Sequence, residues 1–404
     1  MKESSHGLKP VVLTAAVVAC SLLGDSFLYV ALPLEFRSLG LSLVSVGVLL
    51  SVNRFIRFFS NTWAGYTYSR YRVKFPLIAA IIVGALVTLS YSVVAGFLAF
   101  LLVRAIWGIA WSFLRLAGYL TVVAAHGKEH LGKTMGLYQS ISSLGSLCGA
   151  LVGGYLLDLW GFRPTVILLT CGSVIGIPLA ISLRDVQVAP IDSGMELTRI
   201  NLKLVMGDVK MLGIGLCTLV NSLLLQGILV STLSLYLLEL VGGGGVNIFG
   251  VAVGIATLSG FLLTFRLLSR FIFGPIFGTM SDRFGRQHTL TILFIGGMAG
   301  MAMLGLTRSV YVIALAVLLA FISSAGLMVT LATEASDIAA SLDQGREYVM
   351  SSYANWSDLG SAMGPLIAYV MRLGIPFRTT YLGSSVILLA VAIFHNITTY
   401  TRRL

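Results

Sequence analysis

Asp25, Asp358 and six arginines (Arg54, Arg57, Arg104, Arg115, Arg266, Arg270) interrupt long apolar runs. Ionisable groups in such runs are costly to bury and usually do chemistry. Asp25 sits in LLGDSFLYVALP, and Arg104 opens RAIWG. If successive runs are helices crossing a bilayer in alternating directions, Asp25 lies about 22 Å from the start of the first run, and Arg104 about 10 Å from the opposite face. In a hydrocarbon core about 30 Å thick, both fall in the outer half, where they can meet. A neighbouring cation favours an ionised carboxylate, whereas burial favours the protonated form. Making and breaking such a pair would release and capture a proton. Asp25 is then the proton site and Arg104 the group that tunes it. The alternative is a static ion pair that fixes the first run against the fourth.

Arg54 and Arg266 fall near mid-depth in the second and eighth runs, and Asp358 near mid-depth in the eleventh. Guanidiniums present forked donors that suit carboxylate or phosphate. This points to an anionic solute, or to a lipophilic one with Asp358 neutralising one arginine. Arg57, Arg115 and Arg270 read instead as side chains that snorkel to headgroups. Asn221, Gln139, Asn355, Trp356, Tyr138 and Tyr353 complete the expected solute-binding set. Asn53, Gln226 and Tyr29 are further polar or aromatic neighbours. Each of these also reads as an ordinary helix-packing residue. No phosphate-cradling glycine loop, metal-ligand cluster or nucleophile–base arrangement is evident. The expectation is therefore a chain with no cofactor, no metal and no enzymatic activity.

The elements that hold these residues follow from composition. The chain is 57% hydrophobic and 11% charged, about half the charge of a soluble domain. Twelve apolar runs fit membrane-crossing helices: 10–35, 42–64, 75–95, 97–125, 134–158, 164–184, 211–240, 248–277, 288–307, 310–335, 346–371 and 377–397. They lack the two-residue alternation of a membrane barrel. Four cysteines lie within the runs and read as small packing residues.

The chain also repeats itself. YQSISSLGSLCGALVGGY from Tyr138 and YANWSDLGSAMGPLIAYV from Tyr353 share seven residues at a spacing of 215, and Arg57, Gly65 and Arg70 recur as Arg270, Gly278 and Arg283. A half-length repeat of this kind predicts an all-α membrane protein of two pseudo-symmetric six-helix bundles, 1–184 and 211–404. A cytoplasmic linker, 185–210, would join them. With the amino terminus in the cytoplasm, sixteen of the 27 Lys and Arg fall in cytoplasmic segments and five in outer ones. That bias is what positive-inside sorting produces. Both termini are then cytoplasmic, and the net charge of +11 reflects topology, not nucleic-acid binding. The expected partners are a small-molecule solute, protons and the lipid bilayer, with the chain acting as a monomer.

Three motifs carry a family resemblance. Gly278-Thr-Met-Ser-Asp282-Arg283-Phe-Gly285-Arg286 resembles the G-xxx-D-R-x-G-R signature of the major facilitator superfamily. The equivalent turn after the second run keeps Gly65 and Arg70 but has Ser69 in place of the acid. Gly145, Gly149, Gly153 and Gly154 in the fifth run are similar to the glycine-rich motif of the family's proton-coupled antiporters, with Ala150 where Pro is usual; Gly360, Gly364 and Pro365 answer them in the eleventh. Arg104-Ala-Ile-Trp107-Gly108 resembles the antiporters' R-xx-Q-G motif, with Trp107 in place of Gln.

The resemblance implies the family's twelve-helix fold. It makes Gly65, Gly278, Asp282, Arg283, Gly285 and Arg286 gating residues, the glycines and Pro365 helix-packing residues, and Arg104 a proton relay. The function implied is secondary transport by alternating access in a bacterial-type cell (inner) membrane, by proton-coupled efflux. Uptake or exchange of an organic or inorganic anion is the alternative, and a transporter-like sensor or scaffold is a third reading.

Overall fold

The structure, a computed structural model of the chain, describes residues 4–125, 131–183, 209–242, 244–248, 250–340 and 346–400. Twelve long helices account for most of them: α1 Ser4–Glu35, α2 Leu43–Arg70, α3 Lys74–Ser90, α4 Phe97–Ala125, α5 Leu131–Trp160, α6 Phe162–Ser182, α7 Met211–Val241, α8 Ile255–Phe284, α9 Arg286–Leu306, α10 Val310–Ala340, α11 Arg346–Met371 and α12 Phe377–Tyr400. Ten of these are long and apolar enough to cross a membrane. The other two are α3, a shorter apolar helix, and α11, whose 26 residues span about 39 Å although polar groups and Pro365 interrupt them. The expected linker 185–210 lies outside the described residues except for its last two.

Local chemistry sets the breaks. Ser42 caps α2 by accepting the Ser45 amide at 3.2 Å. Gly285, at φ +86°, turns the chain between α8 and α9, a conformation that side-chain-bearing residues rarely adopt. The expectation of a helix starting at 248 is corrected. Val246–Ile248 and Val251–Val253 form an antiparallel hairpin, closed where the Gly250 amide donates to Asn247 Oδ1. Its residues are as apolar as a helix start, but the flanking glycines take positive φ at 242, 245 and 250. The eighth helix therefore begins seven residues later than expected and ends later too. Gly278 to Phe284 consequently lie on the last turns of α8 instead of in a loop.

The described residues form two compact units. One is drawn from Met1–Met195 with Val241–Thr264, the other from Glu196–Leu240 with Phe265–Leu404. In the first unit α1 packs most extensively on α5, and α2 and α3 pack on α4. Added side chains at Gly145 and Gly149 would strike the Ala19 and Leu23 carbonyls of α1, and one at Gly153 would strike the Phe27 ring. Glycine at four-residue spacing lets the two backbones touch. In the second unit α9 packs on α10 and α12, and α11 packs on α7. A Cβ on Gly360 would meet the Leu219 carbonyl, and Gly227 and Gly364 face each other so closely that a Cβ on either would meet the other's Cα. The surfaces turned away are apolar. On α4, Leu98, Leu102 and Ile106 are exposed, whereas Arg104 is fully buried. A helical bundle with apolar flanks and inward charges fits lipid as its solvent.

Candidate functional site

The first unit brings Asp25 and Arg104 together. Arg104 Nη1 donates to Asp25 Oδ1 at 2.5 Å, and Nε donates to the Leu49 carbonyl of α2 at 3.0 Å. The guanidinium is fully buried, while the Asp25 side chain keeps 15% of its surface exposed. The guanidinium is thus held between α1 and α2, and only the carboxylate keeps an exposed edge. The Tyr91 and Tyr29 phenols are the other electrostatic neighbours of Arg104. Tyr29 also accepts from Arg54 Nη2 at 3.5 Å. Trp107, one turn after Arg104 and in the place of the family's Gln, is buried and stacks on Trp111.

The second unit gathers different chemistry. Gln226 lies within a π-helical turn, Ser222–Ile228, inside α7. Such turns widen a helix and recur at functional sites. Gln226 Oε1 accepts from Arg270 Nη2 at 3.0 Å and from Arg266 Nη1 at 3.5 Å. Its Nε2 donates to Ser324 Oγ at 2.6 Å, and Ser324 donates to Asn221 Oδ1 at 3.1 Å. Arg270 also reaches the Met328 sulfur at 3.1 Å, and the Tyr353 hydroxyl donates to the Met328 carbonyl at 3.0 Å. Helices α7, α8, α10 and α11 all contribute. The snorkelling expected of Arg270 is corrected: with α8 starting at Ile255, this arginine is near the middle of its helix and its fork points to an internal amide.

The remaining expected site residues scatter. Tyr138 is buried with its ring over Gly118 and its edge on Tyr119. Trp356 lies over Gly215. Gln139 and Asn355 are exposed, and Asp358 is half-buried on α11. At the α8–α9 turn, Arg286 pairs with Asp282 at 2.5 Å and with Asp337 of α10 at 3.1 Å, and donates to Ser281 at 2.9 Å. Arg283 and Gly285 are exposed beside this cluster, Gly278 rests on Val329, and Gly65 has no neighbour within 4 Å of an added Cβ.

Sequence reasoning missed Asp158. Its carboxylate accepts the Ala256 and Thr257 amides, at 3.2 and 2.7 Å, and the Thr257 hydroxyl at 2.6 Å, capping the start of α8 within the first unit. Asp158 lies one and two turns beyond Gly154 and Ala150, whose carbonyl-lined surface meets Ala256 and Gly260. The four-residue spacing 150, 154, 158 marks a second packing face on α5.

Residues 14–271 match the sequence pattern of the Major Facilitator Superfamily. The multidrug resistance protein MdtG of Enterobacter lignolyticus (strain SCF1) is 24% identical over 393 residues, covering 95% of this chain and 90% of that protein. The nucleoside transporter NupG superimposes with a TM-score of 0.77 at 13% identity, covering 98% of this chain and 99% of that one. A peptide-conjugate complex of a POT family transporter superimposes with a TM-score of 0.75 at 14% identity, covering 98% and 96%.

Proposed function

The chain belongs to the Major Facilitator Superfamily, and from that premise we propose that it exports a small solute in exchange for protons, with Asp25 as the proton site. It is a secondary transporter of the membrane, and not an enzyme. The observation that carries the proton reading is the asymmetric pair. A fully buried guanidinium holds a carboxylate that is itself partly exposed. When the Arg104 contact lengthens, Asp25 is the group that exchanges a proton with solvent. The return of Arg104 expels it. Likeness to MdtG, a multidrug resistance protein by name, supports export of a small solute.

We assign the two six-helix bundles to 1–184 and 211–404, joined by 185–210, with both termini cytoplasmic in an inner membrane and the monomer as the working unit. The turn at Asp282, Arg283, Gly285 and Arg286, together with Gly278 and Gly65, is the proposed gating element. Arg54, Arg266, Asp358, Gln139, Tyr138, Asn355, Tyr353, Trp356 and Asn221 remain the proposed solute contacts. Of these, Arg266, Asn221 and Tyr353 belong to the second-unit network. A second reading, movement of an organic or inorganic anion, is favoured by the two guanidiniums that converge on Gln226.

The test is a pH-sensitive dye trapped in vesicles that contain the purified protein and hold an acidic lumen. Lipophilic cations, neutral drugs and aromatic carboxylates are added in turn. A transported solute should raise luminal pH as it enters. Solute uptake at constant luminal pH would contradict proton exchange.

A further inference from the structure

We propose that Gln226 is an internal stand-in for the solute: its amide oxygen occupies an oxyanion site built by Arg266 and Arg270, and a carboxylate- or phosphate-bearing solute binds by displacing it. The inference rests on the anion reading above for the solute's charge, but not on proton coupling.

One neutral amide oxygen accepts from two guanidiniums, at 3.0 and 3.5 Å. Hydrogen bonds between two ionised partners are stronger than those with one neutral partner. A carboxylate or phosphate oxygen at the same point is therefore the better acceptor. Arg270 is exposed, so a solute can reach the fork, while Gln226 is 5% exposed and sits behind it.

The displaced amide has somewhere to go. Its nitrogen is already anchored on Ser324, and Asn221 Nδ2 is buried without an acceptor in the next position of the same network. A Gln226 oxygen swung towards Asn221 would satisfy that donor. The π-helical turn that carries Gln226 makes its backbone the least regular part of α7. Tyr353 and Met328 line the approach beside Arg270 and would take the apolar body of an aromatic solute.

The experiment follows thermal unfolding of the purified full chain in detergent. Titrants are 1-naphthoate, 1-naphthyl phosphate, the uncharged 1-naphthamide and, separately, phosphatidylglycerol as a lipid source of phosphate. The wild-type protein should bind naphthoate and naphthyl phosphate about tenfold or more tightly than the amide, as expected for a charge-assisted contact. Gln226→Ala, which removes the competitor, should tighten naphthoate binding about three- to tenfold. Gln226→Glu, a permanent resident carboxylate of the same size, should weaken it about tenfold or more. Arg270→Ala should do the same, and Arg270→Lys, which keeps charge but not the fork, should restore part of the affinity.

Unaltered naphthoate binding in Gln226→Glu, with a wild-type unfolding transition, overturns the proposal. So does stabilisation by phosphatidylglycerol alone. Naphthoate binding that ignores Gln226 but is lost in Arg54→Ala overturns this site and leaves the anion reading standing. Equal binding of acid and amide, or no response to naphthoate in the wild-type protein, overturns both.

Discussion

The first and second units solve the same packing problem and then diverge in what they bury. In the first, the α5 glycines press against α1, and the polar centre beside them is an ion pair, Asp25 with Arg104. In the second, the α11 glycines press against α7, and the polar centre is an amide network ending on two arginines. An ion pair with a partly exposed acid is suited to taking up and losing a proton. An amide titrates nowhere near neutral pH and is suited to holding or exchanging hydrogen-bond partners. The repeat therefore supplies a common scaffold, and on the proposed function the first unit carries the proton site and shares the solute contacts with the second.

Four substitutions test how far that contrast extends. Arg104→Ala leaves the largely buried Asp25 carboxylate without its cation, and removing one partner of a buried pair costs about 3–5 kcal/mol. Its unfolding midpoint should fall far more than that of Gln226→Ala, and equal falls would erase the distinction. Gly149→Val should cost about 1–3 kcal/mol by driving methyls into the Leu23 carbonyl, and Gly364→Val should match it through Gly227. A cheap substitution in either unit, read by thermal unfolding, would show that the shared packing is not tight.

Asp158→Ala removes the cap of α8 and should cost about 1 kcal/mol. Hydrogen exchange should rise at Ala256 and Thr257 first, and unchanged protection there would remove the cap from the account. Asp337→Ala breaks an exposed pair with Arg286 and should cost less than about 1 kcal/mol, with the effect shrinking in high salt. A larger or salt-independent loss would make that turn a structural element instead of a gating one.

Much of this was legible in the sequence because the signals were periodic or costly. Twelve helices follow from apolar run lengths, a close-packing face on α5 from glycines four apart, and the Asp25–Arg104 pair from depth alone. What was hidden depends on contacts between distant segments. Asp158 looks like an interfacial acid until the backbone amides of residues 256 and 257 arrive above it. Gln226 reads as one polar residue in an apolar run, because nothing in SLLLQGI announces a π-helical turn. Arg270 was misplaced because the hairpin at 246–253 has the hydropathy of a helix start, which shifted the expected α8 by two turns. Tyr138 repeats as Tyr353, yet the first packs over Gly118 and against Tyr119, and the second donates to the Met328 carbonyl. The repeat carries the glycine contacts over from one unit to the other, but not those of the tyrosines.

The proton site is tested most directly with Asp25→Asn in vesicles. For one transported solute, uptake driven by a pH gradient is compared with solute-for-solute exchange at equal pH. The account predicts that driven uptake falls about a hundredfold while exchange persists, because only the proton site is lost. Driven uptake at the wild-type rate, in a correctly folded protein, would contradict it.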